Sequence, residues 1–554
     1  MTFSFFSVAP RWVLLLIAGS LAARQPVRAQ RPAPLTRPLT KALSRVSAAD
    51  FKAHVAYLAD DKLQGRQPGT PGYQLAVDYV TRQLQKRGVQ PAGENGTFVQ
   101  KVRLRRAFAE PAGAVLSSPG HSYQYGPDFT LYPNPQQPAA TVTAPVVFAG
   151  FGISAPELGY DDYAGLDARG KIVVVTRREP RQLAGNEKLY ATDLLTILQA
   201  AAQHGAVGVL LAAPKPKASL PNPAKGLVSV LDSAGRVVVS RSYASAQLQV
   251  VGSVSAEVLQ RLFVGAAQDT TRTFAALRAG QAASQPLPGT LTATTRSRYK
   301  DVDSYNVVGK IPGSDARLRD EHVVHSAHLD HLGFGAAVQG DSLYNGAHDN
   351  ATGVASVLEI ARAYASLRQK PKRSVLLVLV TGEELGLLGS AYFAKFPTVP
   401  KASIVADINT DMPTIIAPLL SVVPLGAENS SLETEVATAA ARLGLTVEAD
   451  PEPAQNRFIR SDQYSFVVQG IPAVHVKYGN RTADGRNNLS EQVQKWRAAT
   501  YHKPQDDIHG TFDFEAGRTY AQLNFLLGYQ VAQNPQRPTW KPGNFFGRRF
   551  GGGQ

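Results

Sequence analysis

The sequence contains no cysteine. This absence excludes disulfide scaffolds, cysteine nucleophiles, thiolate zinc sites and iron–sulfur clusters. Any metal site in this protein must therefore be built from His, Asp and Glu side chains.

Long hydrophobic runs are also scarce. The first apolar stretch, 12–23, follows Arg11 and precedes Val27-Arg28-Ala29, which places small residues three and one positions before a cleavage point. This arrangement predicts a signal peptide at 1–29, and hence export to the periplasm or the medium. Retention of 12–23 as a short membrane anchor is the alternative. No later segment reaches 18 apolar residues, so we expect no stable membrane insertion after cleavage.

Acidic residues are fewer than basic ones, 43 against 58, which gives a net charge of +15. Such a balance raises the question of nucleic-acid binding. The basic residues are scattered, however, and form no stripe with interleaved aromatics. We therefore expect no nucleic-acid partner and attribute the charge to solubility or weak attraction to anionic surfaces.

Composition and the distribution of apolar runs divide the chain into regions. Apolar residues make up 44% and charged residues 18%, with 47 Gly and 37 Pro, which is typical of a loop-rich α/β protein. The continuous apolar run at 375–380 predicts a parallel strand covered on both faces. Short β-type runs at 125–290 predict a separate β-rich insert between 48–124 and 291–535. A Pro-rich linker at 30–47 and a disordered tail at 536–554 complete the prediction.

Five of the eleven histidines lie within 322–348. His328 follows Val323-Val324 and precedes Gly333, so we expect it at the carboxyl end of a strand, where open α/β sheets build sites. Asp330 could hold the far imidazole nitrogen of His328. His331 is left open between a structural role and support of the site.

Four further motifs carry carboxylates or a histidine. Asp349 lies in the turn of Asn345-Gly-Ala-His-Asp-Asn, and Glu383 and Glu384 follow the 375–380 strand directly. Because neighbouring side chains diverge in extended backbone, one glutamate can ligate a metal while the other faces its water. Asp411 lies at another predicted strand end, with Asp407 as the alternative. His502 is followed by Asp506, a possible support.

Together these residues supply two imidazole and three carboxylate ligands, with one free glutamate. The set fits two divalent ions that share a carboxylate and a water. With N and O ligands and no sulfur, zinc is favoured, and Mn or Co are possible substitutes. A two-metal site can deprotonate water and polarise a carbonyl.

The motifs SAHLDHLG, GAHDNATG, TGEELGLLGS, Asp411-Met412 and YHKPQDD, in this order, resemble the family-28 metallopeptidases. These are dizinc aminopeptidases related to bacterial leucyl aminopeptidases. LADDKLQGRQPGTPG and SDQYSFVVQGIPAV resemble the same family. The insert, with DDYAGLDARGKIVVV and AAQHGAVGVLLA, is similar to a protease-associated (PA) domain. The resemblance implies a mixed, largely parallel sheet covered by helices on both faces, with 48–124 and 291–535 as the two parts of the peptidase domain.

The resemblance also implies roles for individual residues. His328 and Asp411 would hold one zinc, Glu384 and His502 the other, and Asp349 would bridge them through a turn with a cis Asp349–Asn350 peptide. Glu383 would be the general base, and Asp330 would orient His328. His348 is not expected to be a ligand. The residues expected to line the substrate pocket are Arg460, Ser461 and Asp462.

The expected activity is release of N-terminal residues from peptides. A carboxypeptidase or dipeptidase on the same site remains open, but it requires a cationic pocket for the substrate's terminal carboxylate, which the sequence does not reveal. A glutaminyl cyclase would use one zinc. A receptor-like binding protein is the non-enzymatic alternative. The sequence does not indicate the oligomeric state.

Overall fold

The computed structural model describes residues 35–213 and 215–552. The predicted signal peptide lies outside the described residues. Among the described helices, none combines the length and the apolar character needed to cross a membrane.

Fourteen α-helices occur in the described residues. They are Arg37–Leu43, Ala48–Leu58, Pro71–Lys86, Gly185–Thr192, Leu194–Gln203, Ala256–Leu262, Thr270–Arg278, Thr352–Ser366, Leu388–Lys395, Leu432–Arg442, Gln463–Val467, Leu489–Thr500, Phe514–Gln533 and Phe545–Phe550.

The main sheet belongs to what we call the core lobe, residues 35–109 and 297–552. Its four central strands are parallel, and antiparallel strands flank them on both sides. In spatial order the sheet runs Val99–Ala109, Gln285–Ile311, Ser374–Val380, His322–His328, Ile404–Asn409, Ala473–Tyr478, Ser421–Leu425 and Thr446–Val447. Gln90–Pro91 also pairs with Gln285–Ile311.

Both faces of this sheet are covered. Along Ser374–Val380, Val375, Leu377 and Leu379 join a core with Thr352–Ser366 and Phe514–Gln533. The alternate side chains of the same strand join a second core with Phe393, Phe466 and Phe546. Period-two alternation between two apolar environments explains the unbroken apolar run. The predicted fold class is confirmed.

A second sheet forms what we call the inserted lobe, residues 115–293. Its strands are Val115–Ser118, His121–Ser122, Phe129–Leu131, Ala139–Phe148, Ile172–Thr176, Gly208–Ala212, Val250–Val254 and the first half of Gln285–Ile311. This sheet has its own apolar core on each face. Two further strands, Leu227–Leu231 and Val237–Ser240, leave the lobe and extend the main sheet beside Val99–Ala109.

The structure differs from the predicted boundaries of the insert. Its sheet begins at Val115, ahead of 125, and Gln285–Ile311 runs through the predicted limit at 290 as one strand shared by both sheets. All described residues belong to one compact unit. A PA-like domain at 125–290 stays a prediction.

Two segments predicted to lack structure are ordered, so these predictions were wrong. Within the supposed linker at 30–47, Arg37–Leu43 is a helix that buries Leu39 and Leu43. The proline near its start fits the first helical turn, where no backbone N–H is needed. Within the supposed tail at 536–554, the helix Phe545–Phe550 buries Phe546 completely, because its aromatic side chains complete the second core of the main sheet.

Candidate metal centre

The predicted site residues meet at the carboxyl ends of the parallel strands. His328 ends the strand His322–His328, and Glu383 and Glu384 follow Ser374–Val380 by three and four residues. Asp411 follows Ile404–Asn409 by two residues. Parallel strands end at one edge of the sheet, so three separate motifs converge there.

Asp349 reaches the same edge from the turn before helix Thr352–Ser366. The expected cis Asp349–Asn350 peptide is confirmed. Asp506 accepts hydrogen bonds from the backbone N–H groups of His348 (2.9 Å) and Asp349 (3.0 Å). Asn350 accepts from Met412 N–H at 3.0 Å, which joins this turn to the Asp411 loop. Asp506 therefore supports Asp349, not His502 as the sequence suggested.

The five predicted ligands form one continuous cluster around Asp349. His328 Nε2 lies 3.3 Å from Asp349 Oδ1 and 3.4 Å from Asp411 Oδ1. On the other side, His502 Nε2 lies 3.2 Å from Asp349 Oδ2 and 3.3 Å from Glu384 Oε2. Asp349 thus turns one oxygen to each of two donor sets. The side chain of His502 is 37% exposed, whereas that of His328 is 1% exposed, so the cluster opens on the His502 side.

The electrostatics of the cluster call for cations. Burial works to raise the pKa of Asp349, but hydrogen bonds with His328 and His502 hold it well below its usual range. Burial opposes protonation of His502, yet Asp349 and Glu384 raise its pKa to about 10. Three carboxylates packed this closely are stable only beside positive charge. The donors are N and O atoms with no sulfur, so the residues present fit divalent zinc.

His331 is a further candidate donor. Its Nδ1 lies 2.8 Å from Glu384 Oε1, and His331, Asp349 and Glu384 form a group that could hold an ion, as do His328, Asp349 and Asp411. The role that the sequence left open for His331 is therefore support of the site, or ligation beside His502. Glu384 is common to both arrangements.

Asp330 contacts its neighbours differently from the prediction. Its main-chain carbonyl, not its carboxylate, lies at hydrogen-bond distance from His328 Nδ1, at 3.2 Å against 3.9 Å. The carboxylate instead accepts from the backbone N–H groups of Glu383 (3.2 Å) and Glu384 (3.4 Å). Asp330 therefore fixes the backbone that carries the two glutamates.

The structure separates the predicted ligands from their nearby alternatives. The Asp407 carboxylate accepts a hydrogen bond from Ser326 Oγ of the neighbouring strand at 2.8 Å, whereas Asp411 contacts His328. His348 stacks on Phe512 at 4.2 Å and its Nε2 lies 3.0 Å from the carbonyl of Thr511. Asp407 and His348 thus face away from the cluster.

The predicted substrate residues occupy two different environments. Arg460 is exposed, and with Ser461 it lines a small cavity beside Asp411. Asp462 is completely buried, and its pKa is raised to about 7 by burial, with further contributions from Asp411 and Asp330.

Sequence reasoning missed Arg66, which lies in LQGRQPGTPG. This arginine is 1% exposed and donates to the carbonyls of Leu329 (2.9 Å), Asn345 (2.7 Å) and Gly346 (3.0 Å). It therefore ties the loop after His328 to the turn before Asp349. The resemblance of its motif to the family was the only signal for it.

Sequence reasoning also missed Lys477 and His475, on strand Ala473–Tyr478. Lys477 donates to the carbonyls of Asp411 (2.8 Å) and Met412 (2.7 Å), and His475 Nε2 lies 2.8 Å from the Asp411 carbonyl. Both residues are buried beneath the loop that carries Asp411.

Comparison with known proteins agrees with this site. Residues 306–523, which contain all five predicted ligands and Glu383, match the family model described as Peptidase family M28. This match spans 218 of the 554 residues, and that part of the chain is similar to peptidase family M28.

Individual relatives are similar to only part of the chain. Leupeptin-inactivating enzyme 1 of Streptomyces exfoliatus is 27% identical over 242 residues, which cover 42% of this chain and 50% of that protein. A probable zinc metalloprotease of Pyrenophora teres f. teres is 26% identical over 290 residues, covering 45% and 58%. Carboxypeptidase Q of Rattus norvegicus is 34% identical over 120 residues, covering 21% and 23%. The chain thus spans about half the length of the first two.

Among solved structures, an aminopeptidase from Aneurinibacillus sp. strain AM-1 has a TM-score of 0.48 at 19% identity. The likeness covers 89% of this chain and 95% of that one.

Proposed function

We propose that this chain is an exported zinc-dependent aminopeptidase that hydrolyses N-terminal residues from peptides. The observation that carries the proposal is Asp349, whose two oxygens face two separate sets of imidazole and carboxylate donors. His328 and Asp411 would hold one zinc, Glu384 and His502 the second, and Asp349 both. Bound divalent ions would lower the pKa of a coordinated water and polarise the scissile carbonyl.

Glu383 is the general base in this proposal. It follows the same strand as Glu384, and Asp330 accepts a hydrogen bond from each of their backbone N–H groups. Its carboxylate takes the proton from the attacking water and passes it to the leaving amine. The buried carboxylates around the site, Asp462 among them, suit a substrate that brings a positively charged N-terminus.

The test is metal analysis of the purified chain together with a panel of aminoacyl p-nitroanilides. We expect two zinc ions per chain, hydrolysis of the free aminoacyl compounds, no hydrolysis of their N-acetylated forms, and loss of activity on chelation. Activity should return with Zn²⁺, and Mn²⁺ or Co²⁺ should substitute. One zinc per chain with cyclisation of N-terminal glutamine would favour the glutaminyl cyclase alternative. Two bound zincs with no hydrolysis of any peptide would favour a binding protein.

Export is part of this proposal. It rests on the apolar stretch at 12–23 and the small residues that follow it. A mature N-terminus near residue 30 in secreted or periplasmic material would support it, and an intact 1–29 segment in the membrane fraction would favour the anchor.

A carboxypeptidase or dipeptidase is the second candidate, because the cavity beside Asp411 is lined by cations. N-blocked peptides with a free carboxyl terminus separate it from an aminopeptidase. Such peptides have no free N-terminus, so only a carboxypeptidase cleaves them.

A further inference from the structure

The cavity beside Asp411 has an unusual charge composition. Four of its lining residues have basic side chains, Arg457, Arg460, Lys477 and Arg497, and Asp411 is its single acid. Its volume is about 80 Å³. Ligand pockets that take a whole small molecule are several times larger, so this space suits one substituent of a larger substrate.

The cavity adjoins the metal centre on two sides. Asp411 lines it directly, and Tyr501, which also lines it, precedes His502 in the chain. A group bound in the cavity therefore belongs to a residue close to the bond under attack.

Two of the cations are already occupied by the protein. Arg457 forms ion pairs with Asp450 and with Glu452, the latter at 3.8 Å. Lys477 donates to the carbonyls of Asp411 and Met412, as described above. These contacts hold Arg457 and Lys477 in place within the wall of the cavity.

The other two cations have no acidic partner. Arg497, on helix Leu489–Thr500, lies over the ring of Tyr501 at 3.7 Å, and its Nη1 is 3.6 Å from Met412 Sδ. Within residues 35–213 and 215–552, neither Arg497 nor Arg460 lies within ion-pair distance of a carboxylate. Arg497 is only partly exposed. A half-buried guanidinium without a counter-charge is costly, and its planar donors match a carboxylate in pairs.

We propose that this cavity binds a carboxylate of the substrate next to the scissile bond, with Arg497 as the principal donor and Arg460 at the rim. This proposal rests on the proposed peptidase function and narrows its substrate class. The carboxylate has two possible sources. It is the side chain of an N-terminal Glu or Asp in an aminopeptidase substrate, or the chain terminus in a carboxypeptidase or dipeptidase substrate.

Paired substrates that differ only in this charge test the proposal on the zinc-loaded enzyme. The first pair is Glu- and Gln-p-nitroanilide, and the second is an N-acetyl dipeptide and its C-terminal amide. We expect the charged member of one pair to be preferred, and that pair identifies the source. Arg497→Gln should lower kcat/KM for the charged member by roughly 10- to 100-fold, as expected for loss of a charge-assisted hydrogen bond, and for the neutral member by less than about 3-fold.

Lys495→Gln is the matched control. Lys495 lies two residues from Arg497 on the same helix, is exposed, and does not line the cavity, so its loss should leave both pairs unchanged. Equal losses for charged and neutral substrates in Arg497→Gln would overturn the proposal, because the cation would then only balance the charge of the metal centre. Preference for the neutral member of both pairs by the unaltered enzyme would overturn it as well.

A binding measurement separates this proposal from the peptidase function. Calorimetric titration with L-glutamate against L-glutamine, and with N-acetyl-L-leucine against its amide, requires no hydrolysis. Tighter binding of the charged member of either pair, lost in Arg497→Gln and kept in Lys495→Gln, would support the carboxylate site even if no peptide were cleaved. Hydrolysis of Leu-p-nitroanilide without any such preference would support the peptidase function and contradict the carboxylate site.

Discussion

The inserted lobe and the core lobe each bury an aspartate completely, and the two side chains have opposite surroundings. In the inserted lobe, Asp162 accepts hydrogen bonds from the backbone N–H groups of Phe151 (2.9 Å) and Ile153 (3.1 Å) and from the hydroxyl of Tyr160 (2.8 Å). In the core lobe, neither carboxylate oxygen of Asp462 has a hydrogen-bond partner among the described residues. Burial is the largest cause that raises the pKa of each aspartate, in both cases to about 7.

This comparison shows that a buried carboxylate with a raised pKa does not by itself mark a functional site. The partners of the oxygens separate the two cases. Asp162 accepts hydrogen bonds from its own lobe and closes a turn, whereas Asp462 has no such partner and its pKa is raised further by Asp411 and Asp330 of the candidate site. Stability should therefore depend on the first kind of carboxylate and activity on the second.

Loss of Asp349 should have the largest effect. Asp349→Ala removes the carboxylate shared by both donor sets, so we expect less than one zinc per chain and no measurable hydrolysis. His348→Ala is the control, since His348 lies next to Asp349 but packs on Phe512. It should keep both zincs, as measured by elemental analysis of the dialysed proteins. Equal metal loss in the two variants would mean that Asp349 is not the bridging residue of this turn.

Glu383→Gln should separate activity from metal binding and stability. Glutamine keeps the shape of the side chain but cannot accept the proton of the attacking water. We expect two bound zincs, nearly unchanged KM and an approximately 10³-fold lower kcat, within the usual contribution of a general acid–base group, about 10²–10⁴-fold. Steady-state kinetics with parallel metal analysis measure this.

Two outcomes would contradict the assignment of Glu383. Retention of more than about a tenth of the original turnover rate would mean that another group is the base. Loss of one zinc would mean that the roles of Glu383 and Glu384 are reversed.

Most of the site could be predicted from sequence because its ligands occur in short motifs at strand ends. His328, Glu383, Glu384 and Asp411 each follow an apolar run that identifies a strand, so their convergence follows from parallel topology. The apolar run at 375–380 predicted in the same way a strand covered on both faces, and the resemblance to the family implied that helices cover it. The predicted ligand roles still await the metal experiments above.

Residues that act through distant backbone could not be found in this way. Arg66 binds carbonyls more than 260 residues away, and Lys477 binds carbonyls 65 and 66 residues away. These partners are main-chain carbonyl groups, which every residue has, so no sequence motif points to them. The ordered helices Arg37–Leu43 and Phe545–Phe550 were missed for a related reason, because Pro- and Gly-rich composition conceals a few buried side chains that anchor each segment.

Asp162→Ala should act on stability alone. It leaves two buried N–H groups and the Tyr160 hydroxyl without an acceptor, and each such group costs about 1–3 kcal/mol. We expect the free energy of unfolding in urea to fall by about 3 kcal/mol, while the turnover rate of the folded enzyme at room temperature stays within about 2-fold of the original. A 10-fold or larger loss of turnover in fully folded protein would contradict the claim that Asp162 contributes only to stability.

The smallest expected effect is a change in how stability depends on pH. The pKa of Asp162 is raised from 3.8 to about 7 in the folded chain, with burial as the largest cause. Between these values the folded chain holds a proton that the unfolded chain has released, so this group's stabilising contribution is complete below about pH 4 and is lost as the pH rises towards 7. Asp162→Asn keeps an acceptor for the backbone N–H groups but cannot titrate. The difference in Tm between Asp162→Asn and the unaltered chain should therefore increase in favour of the variant from about pH 5 to pH 8, by a few degrees.

Asp161→Asn is the matched control, because Asp161 is partly exposed and its acceptor for Tyr163 N–H survives the change. A Tm difference that is constant over this pH range in Asp162→Asn would mean that Asp162 is ionised in the folded lobe throughout it, and that its hydrogen bonds outweigh its burial.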